Sequence, residues 1–429
     1  MKKVVFFAFV SFLFVGCLKD KCEQRTTYLQ YERVYVTPDE YRSQPITYDA
    51  PQELQEPGKI YFYRHFILIN EVRRGIHIID NADPTSPVKL GFIHIEGNHD
   101  ISVMNDVLYA DAYSDLVIMD ISNIQQPVLK ERVEDVFSSR YFTGDEGLLS
   151  HLEPTEVEEV IDCSDQHFGR SWFTRDGAIF AERSLAQNAN GIGTFNFDAS
   201  GSPQMHTTGQ GGSMARFTIT KHHLYVVGDA EIFALPIYAG GHVGEASRTP
   251  LPWGIETIFP YEDYLFIGAI NGMHIMTLDD PGQPKHASTF SHANACDPVV
   301  VQDNIAYVTL RGGTACGSFT NQLDVLDVTD IFNPKLLHTY TMDNPHGLAV
   351  LDNDLFICEG KYGLKVFDVS NISAIKQNLR SHIKGFHAFD AIAIRDHSLL
   401  VIGNDGFRQY DFSDPSNMKL MSLINVTRP

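Results

Sequence analysis

From residue 58 onward one pattern recurs roughly every forty residues: an apolar alternating strand, a polar turn, a second strand, a turn, and a third strand usually ending in Asp. The third strand is the most legible. It reads Gly75-Ile-His-Ile-Ile-Asp80, Asp115-Leu-Val-Ile-Met-Asp120, Gly193-Thr-Phe-Asn-Phe-Asp198, Glu231-Ile-Phe-Ala-Leu-Pro236, Gly272-Met-His-Ile-Met-Thr277, Gln322-Leu-Asp-Val-Leu-Asp327, Gly363-Leu-Lys-Val-Phe-Asp368 and Gly406-Phe-Arg-Gln-Tyr-Asp411. Most copies lie 38 to 50 residues apart, and one gap of 78 separates Asp120 from Asp198. Period-two alternation suits strands lying between stacked sheets, and one such sheet cannot bury both of its faces alone. Four-stranded units at this spacing must therefore stack around an axis, which predicts an all-β chain forming a single β-propeller. Eight copies favour eight blades. Seven is the alternative, with residues 169 to 210 forming something else.

The turns fit this reading. An Asp closing a strand can accept hydrogen bonds from backbone N–H groups of the turn that follows, as in Asp80-Asn-Ala-Asp-Pro84, Asp327-Val-Thr-Asp330 and Asp368-Val-Ser-Asn371. Pro87, Pro127 and Pro334 then open an outer fourth strand, where a missing N–H is tolerated at an edge. The segments Leu116-Val-Ile-Met-Asp-Ile-Ser-Asn123, Leu323-Asp-Val-Leu-Asp-Val-Thr-Asp330 and Leu364-Lys-Val-Phe-Asp-Val-Ser-Asn371 resemble the LVIVD repeat family of bacterial and archaeal surface proteins. The resemblance implies the fold and carries no general activity. Residues 134 to 168 fill the long gap as an insertion between blades, and Glu153 to Val160 within it is acidic and helix-compatible.

Lys2 and Lys3 precede an uncharged apolar run, Val4 to Gly16, too short to span a bilayer as a helix and of the right length for a signal peptide. It ends Leu13-Phe14-Val15-Gly16-Cys17, which resembles the bacterial lipobox and implies lipidation of Cys17. Residues 1–16 are thus expected to be removed, 17–57 to form a lipidated tether, and 58–429 to form the propeller. The expected address is the cell envelope, as an outer-membrane lipoprotein held through that lipid. The net charge of −21 repels phosphate backbones and argues against a nucleic-acid partner.

Propellers usually bind where the innermost strands begin. Counting ten residues back from Tyr109, Phe266, Tyr307, Phe356 and Leu400 in the second strands reaches His99, Glu256, Asp297, His346 and Asp390, with His387 close by. Imidazole and carboxylate can ligate divalent metals or handle protons near neutral pH. They can equally cap strand starts and face water. No close-spaced metal motif, nucleophile elbow or zinc-protease motif occurs, so no cofactor is expected, although a divalent metal in the central channel is conceivable. Gly209-Gln-Gly-Gly212 reads as a loop and Cys358 as a buried core residue. Trp172 and Trp253 read as core, with lining of a binding mouth as the alternative. Cys296 and Cys316 belong to the same end of one blade, and a disulfide across their 20-residue interval would contribute about 3 kcal/mol.

The favoured function is a non-catalytic binding or scaffolding module for a peptide, glycan or envelope-protein partner. The alternative is a propeller enzyme, a metal-assisted hydrolase or lactonase-like protein using the His and carboxylate ring.

Overall fold

The computed structural model describes residues 23–140, 143–144, 146–162, 172–175, 178–181, 208–292, 298–312 and 321–427. The signal segment, Cys17, Cys22, Cys163 and the disulfide candidates Cys296 and Cys316 lie outside the described residues. Among the described residues no helix is long and apolar enough to cross a membrane.

The larger of two units, residues 34–151 and 188–429, is the propeller. Seven antiparallel sheets make its blades. Blade one runs Pro57–Tyr63, Phe66–Glu71, Gly75–Asp80 and Val88–His94 from the inside outward. The inner strands of the other six are Ile101–Met104, Phe217–Thr220, Ile255–Tyr261, Val299–Gln302, Leu348–Leu351 and Asp390–Ile394. Each inner strand touches the next, and blade seven returns to blade one, so the ring is closed. Closure is apolar. Leu54, Ile60, Ile67 and Ile69 pack with Ile392, Leu400, Ile402 and Phe407, and Thr427 N–H donates to Leu54 O at 2.7 Å.

Seven blades, not the favoured eight, is what the sequence folds into. The supposed second strand of the extra copy, Ala178–Ala181, pairs with Glu23–Val36, setting Leu29 opposite Ala181 and Tyr31 opposite Ile179. That copy's third strand, residues 193–198, lies outside the described residues. Alternation identifies a strand but does not choose its neighbour. This pairing belongs to a five-stranded sheet ordered Thr143–Gly144, Gly147–Asp162, Glu23–Val36, Ala178–Ala181, Trp172–Arg175, most of which lies in the smaller unit, residues 1–33 and 152–187. The helix-compatible stretch Glu153 to Val160 is strand.

Residues 38–49 are ordered on the propeller's own side. Helix Pro38–Ser43 starts from a capping box between Thr37 and Glu40 and buries Tyr41, whose hydroxyl lies 2.9 Å from Ser114 Oγ. Arg42 grips Asp115 through Nε and Nη2, at 2.9 and 2.7 Å. Thr47–Asp49 then adds an outermost strand to blade one.

The repeat's chemistry does what its spacing implies. Oδ1 of Asp80, Asp120, Asp327, Asp368 and Asp411 each accepts the N–H two residues on, at 2.8–2.9 Å. Side-chain hydrogen bonds from Ser122, Thr329, Ser370 and Ser413, with these backbone bonds second, hold the carboxyls of Asp120, Asp327, Asp368 and Asp411 below the usual range. In six blades the third and fourth strands carry a register shift at the same place, for example between Ile78 and Ile79 and between Val325 and Leu326. A bulge there adds twist to each blade.

Candidate functional site

The axis of the ring is filled by its own chain. Residues 208–216, which lead into blade three, run along the inner strands from their far ends to their beginnings. Thr208 bridges Met104, Gln210 and Gly211 pair with Phe62 and Tyr61, and Gln210 Nε2 donates to Ala393 O at 3.2 Å. Ser213 then meets blades seven and six: its N–H and hydroxyl donate to Asp390 Oδ1, both at 3.0 Å, and its Oγ accepts Leu348 N–H at 2.6 Å. Ala215 O takes the Ile258 N–H of blade four, and Arg216 N–H reaches Asp100 Oδ2 at 2.6 Å. The glycine-rich stretch is therefore a spindle, not a surface loop. Its glycines answer to space: a Cβ on Gly212 would lie 2.0 Å from Asp390 Oδ2, and one on Gly209 2.1 Å from the Tyr61 ring.

The mouth is the end where the inner strands begin. His99 precedes blade two's inner strand, Glu256 sits at a register shift in blade four's, and His346 precedes blade six's. Asp390 opens blade seven's. Asp297 lies outside the described residues. His346 and His387 come together, their rings 5.8 Å apart and both against Phe389. His99 instead turns its Nδ1 to Gly97 O at 2.9 Å. Asp390 is buried and committed to Ser213, and burial pushes its carboxyl well above the usual range. Among the described residues no three His, Cys, Asp or Glu side chains group closely enough to hold a metal ion.

Burial keeps both imidazoles of the His346–His387 pair below the ordinary histidine range, and the guanidinium of Arg311 adds to it. The mouth also holds charges that strand counting did not find. Lys59 Nζ lies 2.8 Å from Asp100 Oδ2, both side chains almost fully buried, and burial lowers the lysine although Asp100 pulls the other way. Arg216 pairs with Asp229 at 2.8 Å.

A second pattern recurs at this end. An acid at the end of the second strand or just past it clamps the loop entering the inner strand of its own blade. Asp111 takes His99 N–H at 2.7 Å and Asp100 N–H at 2.9 Å, Glu359 takes Asp343 and Asn344, and Asp405 takes His387. A basic side chain two residues after Gly75, Gly363 or Gly406 lies against the acid in three blades: His77 with Glu71 at 2.8 Å, Lys365 with Glu359 at 2.8 Å, and Arg408 with Asp405 at 3.6 Å. Blades four and five carry only the third-strand half of that pair. There burial drives it toward neutrality, His274 down to about 4 and Asp324 upward. The signal was present in the sequence as a titratable residue two after Gly75, Gly272, Gln322, Gly363 and Gly406.

Cys358 is buried in its strand, as expected, and its thiol is pushed up. Trp253 is not core: it is 71% exposed at the mouth end of blade four. Trp172 lies in the five-stranded sheet. A separate cleft of about 460 Å³ lies between blades two and three at the opposite end, lined by Met104, Val107, Tyr109, His222, Tyr238 and Gly241 among others.

The comparisons with known proteins agree with the ring. The LVIVD repeat family matches residues 98–135, which span blade two. The periplasmic gluconolactonase PpgL of Pseudomonas aeruginosa is similar in structure, with a TM-score of 0.51 at 11% identity, covering 87% of this chain and 97% of that one. A functionally unknown protein from Desulfotomaculum acetoxidans gives a TM-score of 0.47 at 12% identity over 86% of this chain and 95% of its own. Hsv2p of Kluyveromyces lactis gives 0.46 at 11% over 89% and 99%. No curated protein matches in sequence. The chain is a seven-bladed β-propeller carrying an LVIVD repeat.

Proposed function

We propose that this propeller is a non-catalytic binding module of the cell envelope, carried by a lipid on Cys17, which holds a peptide, glycan or protein partner across its mouth. One observation supports this most: the spindle occupies the axis and uses the mouth's acids for its own attachment. Asp390 and Asp100 accept hydrogen bonds from residues 213 and 216, and Asp111 accepts them from the strand entry beside His99. A hydrolase needs a carboxylate or imidazole placed to activate a water in an open cavity. The alternative reading, lactone hydrolysis, draws on what the name of the Pseudomonas aeruginosa protein says of that protein, and the likeness between the two extends to the fold alone.

The test is a turnover assay of the purified chain on aldonolactones and simple esters, with and without added divalent cations. The expected result is no hydrolysis above buffer. Turnover that disappears in His346→Ala would overturn the proposal. The lipid is tested separately by labelled palmitate, which wild type should incorporate and Cys17→Ser should not.

A further inference from the structure

We infer that Trp253 and the neighbouring Arg216–Asp229 ion pair form a subsite for a neutral sugar, with the indole as its stacking platform. This rests on the binding-module reading and deepens it by naming the chemistry of a ligand on that same face.

Trp253 is 71% exposed, more than any other large apolar side chain among the described residues. Exposure alone carries no argument, since single apolar side chains are common on surfaces. This one is held from both sides. Leu251 N–H donates to Ala230 O and Gly254 N–H to Asp229 O, both at 2.8 Å. Gly254 O in turn accepts Ile270 N–H at 2.8 Å, and Gly254 takes φ +98°, a conformation that favours glycine. The indole is thus presented by backbone fastened to blades three and four, so a ligand covering it has little further chain to order.

The same hydrogen bonds bring two charged side chains alongside the loop. Asp229, whose carbonyl holds Gly254, pairs through Oδ1 with Arg216 Nη2 at 2.8 Å, and that nitrogen also donates to Ile255 O at 3.1 Å. Arg216 is anchored again by its backbone N–H, which reaches Asp100 Oδ2 at 2.6 Å. The Asp229 side chain stays 50% exposed and that of Arg216 25%. A flat apolar face therefore stands with a fixed acceptor and a fixed donor beside it. A pyranose matches that set, with C–H groups on its faces to stack on an indole and hydroxyls around its rim that both donate and accept. Hydrogen bonds to a carboxylate or a guanidinium are also stronger than those between neutral groups. The net charge of −21 disfavours an acidic glycan, which leaves a neutral one. Tyr362, another exposed aromatic at the mouth, has Lys361 Nζ 5.3 Å from its ring centre, so one of its faces is already taken.

The experiment is calorimetric titration of the purified full chain with cellotriose, with tri-N-acetylchitotriose and, separately, with tetramethylammonium chloride. The chain holds two tryptophans, so Trp172→Phe leaves Trp253 as the sole indole and its emission reports contact directly. At least one trisaccharide should bind at millimolar concentration or below and shift that emission to the blue. Trp253→Ala should weaken binding about thirtyfold while melting as wild type does, since the indole is bare. Asp229→Asn should weaken it about tenfold, because a hydrogen bond to a charge is lost and the backbone carbonyl that holds the loop is kept. Tyr362→Ala should bind as wild type does. Binding of neither sugar, or binding that survives Trp253→Ala, overturns the inference. So does a response to tetramethylammonium alone, which assigns the indole to a cation, or a Trp253 emission that shifts when the protein is merely diluted, which assigns it to a second copy. Turnover on a lactone would overturn the non-catalytic reading and leave the sugar subsite standing, whereas failure to bind sugar without turnover overturns the subsite alone.

Discussion

Replacing Lys59 by Met tests whether the mouth's buried ion pair is structural. Lys59 Nζ lies 2.8 Å from Asp100 Oδ2, with side chains 3% and 2% exposed. At an effective dielectric of about 20, attraction at that distance amounts to roughly 6 kcal/mol, much of it offset by desolvation of the two charges. Removing the ammonium leaves Asp100 buried with only the amides of Ile101 and Arg216, at 2.8 and 2.6 Å. Breaking a buried pair from one side costs about 3–5 kcal/mol, and the two amides place the expected loss near 3. If the ring unfolds as one unit of roughly 370 residues, its unfolding entropy converts that into a Tm lower by about 4 °C. Asp100→Asn should cost less, because Lys59 is already pushed toward its neutral form by burial and can shed its proton. The double variant should recover most of the loss, giving a coupling of about 2 kcal/mol in a cycle measured by urea denaturation. Losses that add to within about 0.5 kcal/mol would refute the argument.

Three further outcomes follow from the same structure. Asp390 is raised on folding, so the folded state holds its proton at pH values where the unfolded chain has lost it, and stability falls as pH rises through that window above 3.8. Asp390→Asn should therefore melt no lower than wild type at pH 7 and lack that fall. His274 has the opposite sense for stability: lowered to about 4 from 6.5, it costs stability as pH falls between those values, and His274→Asn should flatten that part of a Tm–pH profile. Gly212→Ala puts a Cβ 2.0 Å from Asp390 Oδ2 and should unseat the spindle, costing about 1–3 kcal/mol and opening residues 208–216 to limited proteolysis. A variant as resistant as wild type would count against the spindle's fit.

The blades were legible because their constraints are local. Strand alternation, the Asp-closed turns and the outer prolines all act within a few residues, and the structure keeps each of them. The blade count failed because Gly177-Ala-Ile-Phe-Ala181 carries the right alternation, while its partner, Glu23–Val36, lies about 150 residues earlier in the chain. The starts of the inner strands could be counted to, which found His99, His346 and Asp390. Their partners could not, since the stacking of blades brings Lys59 to Asp100 and the spindle's path brings Ser213 to Asp390, 41 and 177 residues apart. The exposure of Trp253 was likewise invisible, since a tryptophan beside a strand start reads the same whether it is covered or bare.

Stacked repeats ordinarily touch only their immediate neighbours, and such arrays can loosen one segment at a time. Here a single nine-residue thread, 208–216, is tied to blades one, two, four, six and seven at once. Its anchor at Asp390 belongs to the last blade synthesised. During synthesis the thread therefore lacks its Asp390 anchor until blade seven has been made.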